Sequence, residues 1–317
     1  MRAMVESDLA KRIGRVVAGE VKSRHPLAPW TSVRVGGEAD VWVRPKDGDS
    51  VVQLLLIARE EGVPLTVLGG GANTLVGDGG VPGIVVKLPA DLLPEEKQID
   101  EEGGRLTLCA GAAIARLITV MKANALVGAE FLAGIPGTLG GAVTMNAGTK
   151  HGECMTRVEA VELATPDGLG WIDARTLRYR YRHTDLPRGG VVTRARFRLE
   201  RGDVLESQKK MDSDLGYRKA TQPLSQPNFG SVFKNPRPHF AGALIEAVGL
   251  KGHVIGGAQI STVHANWIVN LGGASARDVT SLMALAQARV RERFGSELEP
   301  EVKRIGVFVD DEGEKGP

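Results

Sequence analysis

Two glycine-rich segments constrain the fold of this 317-residue chain more than any other feature. The first, residues 68–76, reads LGGGANTLV and follows an apolar run at 65–68 that we interpret as a short buried strand. The second, residues 134–141, reads GIPGTLGG and leads into the MNAG sequence at 145–148. Without side chains, backbone N–H groups can converge on an anion. Two such loops, each carrying an asparagine, predict a ligand with a pyrophosphate at its centre.

Neither loop is typical of a nicotinamide dinucleotide site. Neither has the G-x-G-x-x-G pattern that opens a Rossmann helix, and no acidic residue follows at the required distance. Glycines also serve turns that need a positive φ, so purely structural turns are the alternative interpretation. Taken together, the loops favour a flavin dinucleotide in a fold other than the Rossmann fold.

Composition indicates a soluble globular protein of two or three domains. Apolar residues make up 42% and charged residues 25% of the chain, which is ordinary. A formal charge of +2 and an aromatic content of 4% argue against a nucleic-acid partner. No apolar run approaches the ~20 residues that a membrane helix needs. The first 15 residues lack a signal-peptide core.

The cysteines and histidines indicate the compartment and the absence of a metal site. Cys109 and Cys154 do not make a disulfide framework, which fits a reducing cytoplasm. The six histidines show no metal-ligand spacing, so we expect no metal. We expect a cytoplasmic monomer with neither a membrane nor a nucleic-acid partner.

Hydrophobic periodicity predicts the order of helices and strands. In the first 90 residues it predicts a β-α-β unit, with strands within 33–44, at 65–68 and at 83–88. A helix is predicted at 5–22, with one apolar stripe formed by Leu9, Ile13, Val16 and Val17. A second helix is predicted at 50–61 with Ser50 as N-cap, and its inward-facing residues are Val51, Leu54, Leu55 and Ala58. The charged residues 88–104 are expected to form a surface excursion. The next part is predicted to hold a strand at 105–109, a helix at 112–123, a long loop at 134–148, and antiparallel strands at 158–164, 170–173 and 191–199.

The composition shifts after Arg201, where we place the main domain boundary. The remaining residues predict a charged helix at 204–218, a proline-broken loop at 222–228, a helix at 241–248, a strand at 264–270, a helix at 276–294 with Ser275 as N-cap, a strand at 302–309 and an acidic tail at 310–317. The expected domains are residues 1–90, 91–202 and 203–317.

The segment 228–236, NFGSVFKNP, combines a glycine, a hydroxyl, a cation and an amide. Val232 and Phe233 indicate partial burial, so the neighbouring polar groups should have definite partners. Ser231 is then placed to meet a ligand in a dry pocket, with Lys234 and Asn235 available for an anionic group. Taken alone, the segment also fits an ordinary strand that leaves a turn.

Five motifs occur in a fixed order along the chain: TSVRVGGEAD at 31–40, the glycine loop at 68–78, EFLAGIPGTLGGAVTMNAG at 130–148, GSVFKNP at 230–236 and LEPEV at 298–302. Over residues 27–306 they resemble the UDP-N-acetylenolpyruvoylglucosamine reductases, also called UDP-N-acetylmuramate dehydrogenases. The chain is similar to the shorter subtype of that family, because no long tyrosine-bearing insertion precedes residue 230.

The chain departs from the family's pattern at two places. Ala72 replaces the usual serine of the first loop, which removes a hydroxyl that could bond a flavin phosphate; neighbouring N–H groups can compensate, so cofactor affinity and not identity should change. The usual F-G-Y-R-x-S reads YRYRHT at 179–184, which keeps Tyr181 and Arg182 but adds a cation at Arg180.

The resemblance implies an α+β chain with a two-subdomain FAD-binding fold of the vanillyl-alcohol-oxidase/PCMH type, in residues 1–90 and 91–202, and a C-terminal α/β substrate domain in 203–317. It implies cofactor contacts from the residues of the motifs: Arg34, Gly69, Gly70, Gly71, Ala72, Asn73, Thr74, Gly134, Ile135, Pro136, Gly137, Thr138, Gly140, Gly141, Asn146 and Gly148. The substrate candidates are Tyr181, Arg218, Gln222, Lys234 and Asn235, with Asn266 a weaker one that, like Gln222, could instead satisfy backbone groups.

The family's reaction reduces an enolpyruvyl ether on a UDP-sugar to the lactyl ether of UDP-N-acetylmuramate, a step of peptidoglycan precursor synthesis that serves cell-wall biogenesis, cell shape and cell division. NADPH reduces FAD, and hydride passes from its N5 atom to the terminal CH₂ carbon. The resulting enolate needs a fixed cation and hydrogen-bond donors. The resemblance implies that Arg182 binds the substrate carboxylate and that Ser231 protonates the carbanion. It implies that Glu301 helps to stabilise the enolate, either in its protonated form or by orienting a hydrogen-bond donor.

Other interpretations of these residues stay open. Arg182 lies in a basic run that at strand alternation is usually a solvated face, and Glu301 precedes a strand where a surface charge is ordinary. Two further functions are a flavin oxidase of the same cofactor-binding fold, and a non-catalytic sensor of a flavin or a nucleotide sugar. The presence of Ser231, Arg182 and Glu301 argues against the sensor. The lack of a His or Cys suited to covalent flavin attachment in the loops argues weakly against the oxidase.

Overall fold

The computed structural model describes residues 2–92 and 104–309, with side chains from residue 7 onward. The predicted tail at 310–317 and most of the predicted surface excursion at 88–104 lie outside the described residues. Among the helices that are described, none is long and apolar enough to cross a membrane.

The described residues form both helices and strands along the whole chain. The α-helices are α1 Arg2–Val16, α2 Gly48–Glu60, α3 Ile114–Ala123, α4 Leu139–Thr144, α5 Val204–Thr221, α6 Ala241–Ala247 and α7 Ala276–Phe294. The first strands are β1 Gly19–Pro26, β2 Glu38–Pro45, β3 Leu65–Val67, β4 Thr74–Val76, β5 Val81–Val86, β6 Arg105–Cys109, β7 Leu126–Val127, β8 Gly148–Thr149 and β9 Gly152–Glu153. The later strands are β10 Val158–Thr165, β11 Gly168–Asp173, β12 Tyr179–Arg180, β13 His183–Thr184, β14 Val191–Arg198, β15 Glu200–Arg201, β16 Asn228–Ser231, β17 Val254–Ile255, β18 Ala258–Ile260, β19 Trp267–Asn270 and β20 Lys303–Ile305.

The chain divides into two compact units that are each built from separate stretches of sequence. Unit 1 contains Met1–Ser23, Val41–Gly70 and Gly83–Gly216, and unit 2 contains Arg24–Asp40, Gly71–Pro82 and Tyr217–Pro317. The domains predicted at 1–90, 91–202 and 203–317 stay a prediction.

Unit 1 is built around two four-stranded sheets. One has the order β1-β2-β5-β3, with β3 parallel to β5, and parts of β1, β2 and β5 belong to unit 2. The other has the order β11-β10-β14-β6, and its neighbouring strands are all antiparallel, as predicted. Apolar side chains of both sheets pack with those of α2 and α3 into one buried cluster, which supplies most of the hydrophobic stabilisation of the unit.

Unit 2 has an antiparallel sheet of order β16-β19-β18-β17 and a parallel pair β20-β4. Helix α7 packs its buried face, from Ala276 to Val290, into the apolar cluster of this unit. Ser275 caps α7 as predicted: its side chain accepts the N–H of Asp278, whose carboxylate accepts the N–H of Ser275 in return.

Three predictions in the first 70 residues are wrong. The helix predicted at 5–22 ends at Val16, because β1 pairs into the sheet; Lys46 N–H donates to Ala18 O at 2.8 Å, and Val16 is 54% exposed rather than inward-facing. The N-cap of α2 is Asp47 instead of Ser50, whose N–H the Asp47 carboxylate accepts at 2.8 Å. The strand predicted at 65–68 is not buried, since Val67 is 42% exposed.

Other predicted elements have different bounds. Residue 33 lies in a turn and residues 34–37 form no regular secondary structure, so β2 begins at Glu38. The loop predicted at 134–148 contains α4, which Thr138 caps. The strands predicted at 264–270 and 302–309 are shortened to β19 and β20, because backbone turns use the flanking residues. The predictions for β6 and α7 match the structure at both ends.

Candidate active site

The two glycine loops lie against each other within unit 1. A Cβ atom on Gly70 would come 2.5 Å from the Cα atom of Gly137, and one on Gly69 would come 2.9 Å from Thr138 Oγ1. The two backbones therefore touch with no room for a side chain between them. The structure thus brings together four of the residues that the resemblance implies for the cofactor.

Lys87, which the sequence analysis missed, holds the first loop from the side. Its ammonium group donates to the carbonyl oxygen of Gly69. Burial lowers the pKa of Lys87, and the nearby Arg44 cation lowers it further. The sequence does carry a signal for this contact: β3 and β5 are parallel, so the residue after β5 lies beside the residues that follow β3.

The second loop is fixed by backbone hydrogen bonds to the end of β6. The N–H of Leu139 donates to Ala112 O at 2.9 Å, and the N–H of Gly140 donates to Ala110 O at 2.8 Å. Thr138 Oγ1 accepts the N–H of Gly141 at 3.4 Å and so caps α4. Its glycine backbone therefore has a defined position before any ligand arrives.

Asn146 is completely buried and binds protein groups on three sides. Its amide nitrogen donates to Glu153 Oε2 at 2.9 Å and to the carbonyl oxygen of Arg180 at 3.2 Å. Its amide oxygen accepts the N–H of Met155 at 3.0 Å. Direct contact of Asn146 with a cofactor stays a prediction; its observed contacts fix the segment that carries Arg182.

Arg182 occupies the second position of the two-residue turn between β12 and β13. Its φ is +57°, a left-handed conformation that costs a residue other than glycine about 1–2 kcal/mol. Its guanidinium carbon lies 4.6 Å from the centre of the Tyr181 ring, a cation–π contact. Thr184 Oγ1, which donates to Val143 O at 2.6 Å, anchors the hairpin to α4. An unfavourable backbone conformation held in this way is typical of functional positions.

In unit 2, Ser32 ties the end of the first glycine loop to β16. Its hydroxyl oxygen lies 2.6 Å from the carbonyl oxygen of Asn228 and 3.1 Å from that of Gly71. Ala72 follows, half-buried, and Thr74 begins β4, which pairs with β20 at Lys303. Gly71 to Thr74 is therefore held in place by both β16 and β20.

Arg34 is a second arginine with a left-handed backbone, at φ +57°. The buried amide of Asn270 donates to Val33 O at 3.0 Å and to Arg34 O at 3.4 Å. Thr31 Oγ1 accepts the N–H of Val35 at 3.2 Å and closes the same turn. The motif at 31–40 thus builds a tight turn that presents the exposed Arg34 side chain.

Ser231 and Glu301 lie on two segments that Val232 joins. The carbonyl oxygen of Val232 accepts the N–H of Glu301 at 2.8 Å. Asn73 Nδ2 donates to the carbonyl oxygen of Glu301 at 3.2 Å. The structure therefore joins the backbone segments that carry the predicted proton donor and the predicted carboxyl group, and it bonds the second of them to the asparagine of the first glycine loop.

Gly230 leaves open space beside Ser231. Its φ is +81°, which glycine adopts without strain. A Cβ atom placed on it would have the carbonyl oxygen of Ala72, 4.0 Å away, as its nearest described neighbour. A ligand can therefore approach the backbone here more closely than at the packed glycines of the first loop.

The substrate candidates of unit 2 each contact a protein group. Arg218 Nε donates to Gln222 Oε1 at 3.0 Å, and Lys234 forms an ion pair with the exposed Glu299. Asn235 Oδ1 accepts the N–H of Ala241 at 3.0 Å and so satisfies the first turn of α6. Contact of these side chains with a substrate stays a prediction.

The backbone of the glycine loops fits a flavin dinucleotide. Within unit 1, Gly69, Gly70 and Gly137 present backbone without side chains, and glycine backbone of this kind can offer N–H groups to a pyrophosphate; the cation of Lys87 lies beside the first loop. Ser231 and Glu301 carry a hydroxyl and a carboxyl group, and their part in proton transfer stays a prediction.

We expect Gly70→Ala to weaken FAD binding by about tenfold or more, equivalent to ~1.4 kcal/mol. The added methyl group would press on the backbone of Gly137, which cannot rotate away as a side chain can. Titration of the apoprotein with FAD, followed by flavin fluorescence, measures the change in Kd. Gly170→Ala is the matched control, because a Cβ atom there meets nothing within 4 Å. Equal Kd values for both variants would contradict the close packing of the loops.

Comparison with known families assigns the chain to the FAD-binding proteins first. Residues 39–170 match the family model described as an FAD binding domain. Residues 222–305 match the model described as the C-terminal domain of UDP-N-acetylenolpyruvoylglucosamine reductase. The chain belongs to the UDP-N-acetylenolpyruvoylglucosamine reductase family, and the α+β class with its FAD-binding part is confirmed.

Curated relatives and a solved structure match over almost the whole chain. UDP-N-acetylenolpyruvoylglucosamine reductase of Myxococcus xanthus is 63% identical over 309 residues, 98% of this chain and 100% of the relative. The protein of the same name from Bacillus subtilis is 40% identical over 310 residues, 96% of this chain and 99% of the relative. The crystal structure of the reductase from Thermus caldophilus has a TM-score of 0.76 at 35% identity, and the match covers 92% of this chain and 100% of that one.

Proposed function

We propose that this protein reduces the enolpyruvyl ether of UDP-N-acetylglucosamine-enolpyruvate to the lactyl ether of UDP-N-acetylmuramate. FAD is the bound cofactor and NADPH the reductant. The observation that carries the proposal is the arrangement in unit 2: Ser231 and Glu301 are joined through Val232, and Glu301 is bonded to Asn73 of the first glycine loop. The family of the chain and its relatives support the same reaction.

Bound FAD supplies the hydride that reduces the terminal carbon of the enolpyruvyl group. Ser231 then donates its proton to the adjacent carbon, which carries the developing negative charge. A serine hydroxyl is a weak acid, but a carbanion is a strong base, and a fixed geometry makes the transfer effective. The open space at Gly230 allows a substrate to reach this hydroxyl.

Glu301 and Arg182 stabilise the enolate in this proposal. Arg182 binds the substrate carboxylate through two parallel N–H groups, which a planar guanidinium can provide. Its left-handed backbone and its stacking on Tyr181 restrict the guanidinium before the substrate arrives. Glu301, whose backbone is fixed by Val232 and Asn73, orients a donor or acts in its protonated form.

The nucleotide part of the substrate requires cations and amide donors. We propose Lys234, Asn235 and Arg218 for the diphosphate, with Gln222 and Tyr181 as further contacts. Lys234 exchanges its exposed partner Glu299 for phosphate in this scheme, and an exposed ion pair of this kind contributes little stability that would oppose the exchange.

The proposed place of the reaction is the cytoplasm, in the synthesis of peptidoglycan precursors. Loss of the protein would then impair cell-wall growth, cell shape and division. The relatives in Myxococcus xanthus and Bacillus subtilis carry the name of the same reductase, which supports the reaction on which this role depends.

Purified protein tests the proposal directly. The preparation should be yellow with bound FAD, and it should consume NADPH when UDP-N-acetylglucosamine-enolpyruvate is added. UDP-N-acetylglucosamine, which lacks the enolpyruvyl ether, is the matched control and should cause no consumption. A flavin-loaded protein that leaves NADPH untouched with the enolpyruvyl substrate would reject the proposal. Rapid reoxidation by O₂ with turnover of an alcohol would instead favour the oxidase.

A further inference from the structure

The side-chain amide of Asn266 forms two hydrogen bonds with the backbone of Phe233, in the segment that carries Ser231. Its side-chain oxygen accepts the N–H of Phe233 at 3.0 Å, and its side-chain nitrogen donates to the carbonyl oxygen of Phe233 at 2.8 Å. Its own carbonyl oxygen accepts the N–H of Val232 at 2.9 Å. The side chain is buried, with 3% of its surface exposed, so these bonds form without competition from water.

The same backbone segment carries Glu301 on its other side. The carbonyl oxygen of Val232 accepts the N–H groups of Glu301 at 2.8 Å and of Val302 at 3.3 Å. The next residues continue this contact, since Lys234 N–H donates to Glu299 O at 2.9 Å. Asn266 therefore fixes the segment to which both Ser231 and Glu301 are attached.

The adjoining strand pairing does not determine the position of Ser231 by itself. Strand β16 pairs with β19 through only two residue pairs, Asn228 with Val269 and Ser231 with Trp267, and the register shifts between them. The intervening Gly230 has a positive φ and no packed neighbour. An irregular strand of this kind needs an additional restraint next to Ser231, and the Asn266 amide supplies it.

We propose that Asn266 is a positioning residue for the proton-transfer step, acting through the Val232–Phe233 backbone on both Ser231 and Glu301. This inference rests on the proposed function. Asn266 does not touch the substrate in this scheme, although the sequence made it a weak candidate for the UDP diphosphate. Its amide is bonded to the Phe233 backbone and is too buried for that contact.

The chemistry of the site requires an amide at this position. The backbone of Phe233 offers one N–H donor and one C=O acceptor, and the planar amide of an asparagine side chain can form a hydrogen bond with each of them. An aspartate of the same shape keeps the acceptor but loses the donor, and it sets a carboxylate oxygen against the Phe233 carbonyl oxygen. The segment must then shift, and sub-ångström misplacement of a proton donor lowers the rate without abolishing binding.

The test is Asn266→Asp in the FAD-loaded protein, with the two half-reactions measured separately by anaerobic stopped-flow absorbance. Reduction of bound FAD by NADPH should stay within about twofold of the parent, while reoxidation by the enolpyruvyl substrate should slow by roughly 100-fold. The solvent deuterium isotope effect on reoxidation should rise, because proton delivery becomes the slow step. A purely structural role would not raise it.

Leu54→Ala is the matched control for lost stability. Leu54 is fully buried in α2 and belongs to the apolar cluster of unit 1, whereas Val232 and Phe233 belong to the apolar cluster of unit 2. This variant should unfold at lower temperature yet retain both half-reactions within a few-fold of the parent. If Asn266→Asp does not fold, Asn266→Ser, which keeps a small donor and acceptor, replaces it with the same expected pattern.

Two results would overturn the inference. One is an equal slowing of both half-reactions in the Asn266 variants, which indicates general damage. The other is unchanged reoxidation with an unchanged isotope effect in a folded variant. Failure of the proposed function is distinguishable, because the parent protein itself would then show no reoxidation by the enolpyruvyl substrate.

Discussion

Ser231→Ala is expected to slow reoxidation of the reduced flavin by the enolpyruvyl substrate by roughly 10³-fold, within the 10²–10⁴ range that a positioned proton donor contributes. Reduction of the bound FAD by NADPH should stay within about twofold of the parent rate, because no proton from Ser231 enters that step. The substitution removes only a hydroxyl group, and the backbone bonds of Val232 and Phe233 to Asn266 and Glu301 remain available. The fold should therefore be retained.

Anaerobic stopped-flow measurement of both half-reactions checks this prediction. Ser225→Ala is the matched control, since Ser225 is an exposed serine in the loop before β16 and has no role in the proposed site. Both of its half-reactions should match those of the parent. If Ser231→Ala slowed both half-reactions by the same factor, the role of Ser231 as proton donor would be contradicted.

Arg182→Ala is expected to lower kcat/KM for the enolpyruvyl substrate by roughly 10²–10³-fold, the usual cost of removing a group that stabilises a developing oxyanion. Arg182→Lys should recover only part of this loss, because lysine keeps the charge but not the paired, planar N–H donors. Both variants should lose mainly kcat, since the carboxylate charge grows into an enolate only in the transition state. Steady-state kinetics with varied substrate measures the division between kcat and KM.

Arg180→Ala provides the control on the same hairpin. The Arg180 side chain is exposed and pairs with Asp185 at 3.1 Å, so its removal should change kcat/KM by no more than a few-fold. The carbonyl oxygen that Asn146 binds is unaffected by this substitution. Equal effects of the two alanine variants would mean that the hairpin needs positive charge in general, and the specific role of Arg182 would be lost.

The elements that the sequence predicted well have strong local signals. Helix α7 combines a regular apolar stripe, a capping box at Ser275 and a glycine at residue 295 with φ +62°, so both of its ends are determined locally. The predictions failed where tertiary contacts, and not the local sequence, determine where an element ends or which residue caps it. Residues after Val16 join a sheet instead of extending α1, and Asp47 rather than Ser50 caps α2 because the helix begins two residues earlier.

The candidate site likewise combines features that the local sequence predicts with features that tertiary contacts determine. Glycine loops and motif residues are visible in the sequence, because only glycine allows the close approach seen between Gly70 and Gly137. The left-handed conformations of Arg34 and Arg182 have no such signal, since these turns usually use Gly or Asn. The bond of Asn270 to Arg34 joins residues that are distant in sequence, so periodicity carries no information on it, whereas the bond of Lys87 to Gly69 follows from the parallel pairing of β3 and β5.

Single-turnover mixing under anaerobic conditions tests the central claim most directly. The FAD-loaded protein is first reduced with a stoichiometric amount of NADPH and then mixed with UDP-N-acetylglucosamine-enolpyruvate. We expect the absorbance band of oxidised flavin to return completely, with the formation of one UDP-N-acetylmuramate for each flavin. Flavin that stays reduced until oxygen is admitted, with the enolpyruvyl ether intact, would contradict the assignment of this chain as a reductase of that substrate.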